Sequence, residues 1–238
     1  MLYKDEAIVL RTMRLGEADR IVTFLGRSSG KIRAVAKGVR KTKSRFGGRL
    51  EPFSQVSLVL WQGRSGLDTV NQVHVVEPFR AIREDLDRFS LGEVMLEATD
   101  RVISEGAKAP RTFSLLVDAL HGLTSSPTGL VTASFLLRLS AIAGFAASLD
   151  RCAECGGPPA WFSPGQGGAV CPSCRWQDAE EVGTGVLELM SDIVSDGAWM
   201  STGEEVTRTA IRLSRFYTEY HLERRLKSAA TADSMVQR

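Results

Sequence analysis

Cys152-Ala-Glu-Cys155 is followed, fifteen residues on, by Cys171-Pro-Ser-Cys174, and the 238-residue chain has only these four cysteines. Nothing else in the sequence constrains the fold so tightly. Two residues between thiols let each pair grip one edge of a tetrahedron, and two such pairs fill a four-coordinate shell. The spacing predicts one structural zinc ion per chain, held by Cys152, Cys155, Cys171 and Cys174. A CxxC redox pair or two disulfides are the competing readings. Four thiolates leave no open position, so the metal is expected to be structural and not catalytic. Arg151 and Arg175 are outnumbered by Glu154, Asp178, Glu180 and Glu181. That balance argues for a finger over 150–178 that staples an excursion between two helices, and against a finger that meets nucleic acid.

Upstream of the cysteines the hydrophobic period changes once. Residues 6–15, 20–25, 31–37, 52–61 and 67–76 read as five short strands separated by turn residues. In the third, Lys31, Arg33, Val35 and Lys37 fall on one face and Ile32, Ala34 and Ala36 on the other. Small apolar residues inside and cations outside suit a small, strongly curved barrel. Five strands at this spacing fit an OB-fold, although the pattern also permits an SH3-like barrel. Glu77-Pro78 marks a boundary, after which the period is helical. Helices are expected over 85–105, from 110 to the Gly122 break, over 130–149 as a buried central helix, over 184–195 and over 204–226. The predicted class is α+β: an N-terminal small β-barrel (OB-fold) at 1–80, then an α-helical domain at 81–228 carrying the four-cysteine zinc finger, with 229–238 as a disordered tail.

Charge separates the two parts. Residues 1–50 hold thirteen Lys or Arg against four Asp or Glu, whereas the remainder holds seventeen against twenty-four. Residues 26–49 alone carry nine cations and no carboxylate. A basic module joined to a mildly acidic one is the pattern of a chain whose one end meets a polyanion. The candidate phosphate contacts are Lys31, Arg33 and Lys37, expected to face solvent together, and Arg40, Lys41, Lys43, Arg45 and Arg49 in the adjoining loop. Such a groove tracks phosphates without reading sequence. Phe46 is the nearest candidate for base stacking, followed by Trp61 and Phe24. Arg208, Arg212 and Arg215 share one face of the last helix and form a second candidate patch; ion pairs on a solvated face explain them equally well.

The chain has no phosphate-cradling glycine loop and no nucleophile elbow. Its three histidines, His74, His121 and His221, stand apart in sequence, and no cysteine is spare. These absences predict a binding protein and not an enzyme, with no small-molecule substrate. Lys4, Asp5 and Glu6 interrupt any secretory leader. The most apolar stretch, 134–149, is cut by Arg138 and is shorter than the roughly 20 residues a membrane span needs. A cytoplasmic protein is expected.

Several segments together resemble the RecO family of bacterial DNA repair and recombination mediators. They are Ala-Ile-Val-Leu-Arg (7–11), Gly-Glu-Ala-Asp-Arg-Ile (16–21), Gly-Lys-Ile-Arg-Ala-Val-Ala-Lys-Gly-Val-Arg (30–40), Ser-Arg-Phe (44–46) and Leu-Glu-Pro-Phe (50–53). The cysteine quartet, with Gly167-Gly168 before Cys171, looks like the zinc-bearing members. The resemblance is specific over 1–80 and 150–175 and weaker in the helices between. It implies an N-terminal OB-fold, a helical domain with the zinc site, and binding of single- and double-stranded DNA. It also implies annealing of complementary strands, and loading of RecA, together with RecR, onto DNA coated with single-strand DNA-binding protein. No motif in the helices fixes a site for that protein's acidic C-terminal tail. The other classes the residues allow are an RNA-binding OB-fold and zinc-ribbon protein of translation or the ribosome, and a metal-dependent nuclease.

Overall fold

In the computed structural model the described residues are 1–41, 44, 46–63, 66–126, 128–195 and 203–228. The expected disordered tail at 229–238 lies outside them. The chain divides by contact into two compact units, Met1–Thr124 and Ser125–Arg238.

The first unit opens with five strands: β1 (Leu2–Leu15), β2 (Asp19–Gly26), β3 (Gly30–Ala36), β4 (Gln55–Trp61) and β5 (Asp68–Glu77). They close into a barrel in the order β1-β2-β3-β5-β4. All pairings are antiparallel except β3 with β5, which join through Ala34 opposite Asp68 and Val35 opposite Thr69. That Greek-key order is the OB arrangement and disposes of the SH3-like alternative. β1 serves two neighbours because it is long. Leu2 to Ile8 pair with β4, Ala7 to Leu15 pair with β2, and a bulge between Val9 and Arg11 provides the bend. The barrel interior is filled as the alternation requires. Ile32, Ala34 and Ala36 of β3 face inward with Val56, Leu58 and Leu60 of β4 and Phe24 of β2. A short 3-10 turn, Gly47–Leu50, leads into β4; Phe46 just before it and Leu50 at its end are buried in the same core.

Three helices complete this unit: α1 (Arg80–Glu84), α2 (Leu86–Val102) and α3 (Pro110–Ser125). The Asp85 carboxylate caps α2 by accepting from the Arg88 N–H at 2.9 Å. The α2–α3 connection runs against the start of β3, where Lys31 bridges Glu105. Gly30 is required there. Its φ is +68°, and a Cβ would lie 1.8 Å from the Ala107 carbonyl oxygen.

The second unit holds α4 (Gly129–Ile142), α5 (Thr184–Ser195) and α6 (Glu204–His221), with a small sheet of β6 (Trp161–Ser163), β7 (Gly168–Val170) and β8 (Glu180–Glu181). The buried helix expected over 130–149 stops at Ile142. Gly144, at φ +97°, ends it in a Schellman motif. The Gly144 N–H bonds the Ala141 carbonyl at 3.1 Å and the Phe145 N–H bonds that of Ser140 at 2.8 Å. Residues beyond it then become finger, with the Ala169 N–H donating to the Ser148 carbonyl at 2.7 Å. Ser134 and Arg138 of α4 donate to the carbonyls of Ile193 (2.5 Å) and Val194 (3.0 Å), which satisfies the end of α5. Arg138 thus belongs to the packing of an apolar helix. Among the described residues no helix is long and apolar enough to cross a membrane.

Candidate nucleic-acid interface and metal centre

The alternation of β3 holds, but its cations do not all stand in solvent. Lys31 is only 14% exposed at its side chain and forms an ion pair of 2.7 Å with Asp100 of α2. Its ammonium also donates to the Asp100 carbonyl at 2.5 Å. Arg33 pairs with Glu105 at 3.3 Å. The expectation that Lys31, Arg33 and Lys37 face solvent together is therefore corrected. The start of β3 is covered by the end of α2 and its following loop, and only the end of the strand is open. Lys37 and Lys41 are exposed and have no ion-pair partner among the described residues.

That open end is a fastened corner. The Gly38 N–H donates to the Asp19 carboxylate at 2.7 Å and the Arg40 N–H to the Ala18 carbonyl at 3.0 Å. The Arg40 guanidinium donates to the carbonyls of Gly16 (3.3 Å) and Glu17 (3.0 Å). The loop after β3 is thereby tied to the β1–β2 turn, with Lys37, Arg40 and Lys41 exposed on it. Arg14 and Arg20 face each other in the adjoining β1–β2 ladder, and sequence reasoning did not single them out. Arg20 is held by Glu51 at 3.1 Å; Arg14 is exposed. Arg49 is exposed beyond the loop. Lys43 and Arg45 lie outside the described residues.

The stacking candidates divide differently. Phe46 is 1% exposed and Phe24 is fully buried, so both are barrel core and neither presents a face to a base. Trp61 is 55% exposed at the end of β4.

On the last helix, Arg208 pairs with Glu204 at 2.6 Å. Arg212 grips Glu180 of β8 with both terminal nitrogens. Arg215 lies with its guanidinium carbon 6.0 Å from the Phe216 ring. The candidate second patch is thus largely engaged, and Arg212 fastens the finger to α6.

The four cysteines converge as their spacing predicts. All four sulfurs lie within 4.8 Å of one another, with Cys155 and Cys171 at 3.7 Å. A disulfide would need about 2.05 Å, and all four thiols are free. Each pair sits on a turn: the Gly156 N–H donates to the Cys152 carbonyl at 2.9 Å, and the Arg175 N–H to that of Cys171 at 3.1 Å. Gln166, which sequence reasoning missed, ties itself to the second turn. It donates to the Cys174 carbonyl at 3.0 Å and accepts from the Trp176 N–H at 2.9 Å. Burial pushes the Cys152 thiol up, but the backbone N–H groups of Cys155 and Cys171 outweigh it and bring it down to about 6. Hydrogen bonds with the Cys171 and Cys155 sulfurs drive Cys174 the other way, to about 12. Four sulfur donors brought within 4.8 Å of one another are a set that a cation could fill. The residues fit a metal ion.

A family model described as Recombination protein O N terminal matches residues 1–79, and one described as Recombination protein O C terminal matches 83–230. A protein of Nocardioides sp. named DNA repair protein RecO is 44% identical, covering 97% of this chain and 98% of its own. One of the same name from Frankia casuarinae is 46% identical, over 95% and 96%. A third, from Bifidobacterium longum, is 40% identical over 98% and 99%. With an OB barrel under the first model, helices and a cluster of four cysteines under the second, and relatives matched nearly end to end, this chain belongs to the RecO family.

Proposed function

We propose that this chain is a recombination mediator in DNA repair. It binds single- and double-stranded DNA, anneals complementary strands and helps load RecA onto DNA coated with single-strand DNA-binding protein, with RecR and that protein's C-terminal tail as partners. It works in the cytoplasm and catalyses no reaction. The barrel, residues 1–80, is the DNA-binding domain, and residues 81–228 form the domain that carries the finger. Family membership supports the repair role. One observation carries the DNA reading: Lys37, Arg40 and Lys41 stand exposed on a loop fixed to the β1–β2 turn. Two like-charged strands approach only when their phosphates are screened, and a fixed cluster of cations screens them without reading sequence. Arg49 is exposed as well and adds to this surface, and Lys43 and Arg45, outside the described residues, are candidate contacts by sequence alone, whereas Lys31 and Arg33 mainly hold the unit together.

The metal is a structural zinc ion. A tetrahedron of about 2.3 Å Zn–S bonds has edges of roughly 3.8 Å, and the 3.7 Å Cys155–Cys171 separation suits it. Zinc supplies cross-linking of the two cysteine turns and no chemistry on a substrate.

The test is annealing of complementary oligonucleotides with and without single-strand DNA-binding protein. The wild-type chain should anneal in both conditions. Lys37→Glu with Lys41→Glu should abolish annealing while leaving the thermal melt unchanged. A folded double variant that still anneals at the wild-type rate would refute this reading.

A further inference from the structure

Beside the basic corner the first unit contains a cavity of about 470 Å³, lined by Ser44, Arg49, Ser54, Val75, Arg80 and Arg83 among others. Three arginines and two serine hydroxyls around one space are an unusual lining. The Arg83 terminal nitrogen donates to Ser54 Oγ at 3.3 Å and to the Pro52 carbonyl at 3.2 Å. Its other guanidinium nitrogens have no partner among the described residues. Arg80 is exposed and has no ion pair among them either. Glu51 and Glu84 act on Arg83 through their charge but form no ion pair with it among the described residues. Glu51 is taken by Arg20 at 3.1 Å, and Glu84 forms no hydrogen bond or ion pair among the described residues.

The backbone holds this cavity open at some cost. Among the described residues only three other than glycine have positive φ, and two of them adjoin the lining: Phe53 at 73° and Phe79 at 46°. Phe53 precedes Ser54 and Phe79 precedes Arg80. Both rings are buried, Phe53 edge-on to Phe89 at 5.5 Å and Phe79 against His121 at 4.9 Å. Backbone in this region is held only where its surroundings impose it, and it gathers at ligand sites. Here the buried rings fix the two turns that deliver Ser54 and Arg80 to the same space.

Guanidinium groups that form no direct ion pair, as at Arg80 and Arg83 among the described residues, make a receptor for a phosphate group when hydroxyls flank them, because the planar fork matches its oxygens. The volume falls among cavities that hold small ligands, about 300–1,000 Å³, so a nucleotide fits as well as a bare ion. Val75 and Pro78 offer an apolar wall to a sugar. The Ser44 N–H on the cavity rim donates to the Lys41 carbonyl of the basic corner at 2.9 Å. We propose that this cavity is a phosphate seat that takes one nucleotide phosphate of a nucleic-acid strand running on from the corner. The proposal rests on the DNA reading above and adds a defined stop to a surface of exposed cations.

The phosphate can come from within the strand or from a 5′ end. Fluorescently labelled oligothymidylates, one with a 5′ hydroxyl and one with a 5′ phosphate, are titrated with the full chain over a salt series. The variants are Arg80→Gln and, as a charge-matched control, Lys108→Gln on the exposed approach to α3; thermal melts confirm that each is folded. For an internal phosphate, the cavity variant lowers the log–log salt slope by about 0.7 for both oligonucleotides, while the control leaves it within error. For an end phosphate, the wild type prefers the phosphorylated oligonucleotide several-fold and the cavity variant loses that preference. Either outcome supports the seat. A cavity variant that matches the control in slope and in end preference overturns it while leaving the DNA reading intact. A wild type that binds neither oligonucleotide overturns both.

Discussion

Lys31 holds Asp100 across 69 positions of sequence, with its ammonium 2.7 Å from one carboxylate oxygen and 2.5 Å from the residue's own carbonyl. Arg11 reaches the other carboxylate oxygen at 2.8 Å. With Lys31 and Asp100 only 14% and 18% exposed, removing the lysine leaves a largely buried carboxylate with one partner. Lys31→Met should therefore destabilise the first unit by about 1–3 kcal/mol in chemical denaturation. Affinity for single-stranded DNA at fixed salt should stay close to that of the wild type.

Gly30 admits no side chain. A Cβ there would meet the Ala107 carbonyl oxygen at 1.8 Å, on a backbone with φ +68°. Gly30→Ala must push the α2–α3 connection away from β3 and should cost more than about 2 kcal/mol. A thermal melt reads this as a drop of at least several degrees.

The sulfur cluster predicts that one zinc ion per chain is found by metal analysis after exhaustive dialysis. Removing it with a strong chelator should lower the melting temperature of the second unit by more than about 10 °C, since four-cysteine sites contribute folding energy directly. Cys155→Ser should act in the same direction. Binding at the basic corner, which belongs to the other unit, should survive at low temperature.

Tyr217 gives the second unit a pH limit. Burial pushes its phenol up to about 12, against about 10 in an unfolded chain. A raised acid is fully stabilising below the unfolded value and loses that stabilisation as pH rises toward the folded one. Stability of this unit should fall between about pH 10 and 12, by roughly 2–3 kcal/mol in total. Tyr217→Phe should flatten the dependence, measured as unfolding midpoint against pH.

Much of this was legible in the sequence, for identifiable reasons. The inward Ile32, Ala34 and Ala36 obey a period of two, and the cysteine spacing has one tetrahedral solution. The helix expected over 184–195 has those bounds in the structure, because Gly183 and the apolar stripe define it locally. What stayed hidden depends on distant partners. Lys31 and Arg33 look solvated until α2 returns to cover them with Asp100 and Glu105. Phe46 sits among cations in sequence but plugs the barrel. Tyr220 lies three residues beyond the buried Tyr217 on α6 yet is 54% exposed. Arg80 and Arg83 carried no motif; only the turns at Phe53 and Phe79 bring them to a common space with Arg49.

The central claim is that DNA meets the exposed corner and not the covered face of β3. The most direct measurement is the salt dependence of single-stranded DNA affinity for the wild type, Lys31→Gln, and Lys37→Gln with Lys41→Gln. If each corner lysine neutralises one phosphate, the double variant lowers the log–log slope by about 1.4, while Lys31→Gln leaves it unchanged. A slope that falls with Lys31→Gln and persists in the corner variant would place DNA on the strand face and contradict the account.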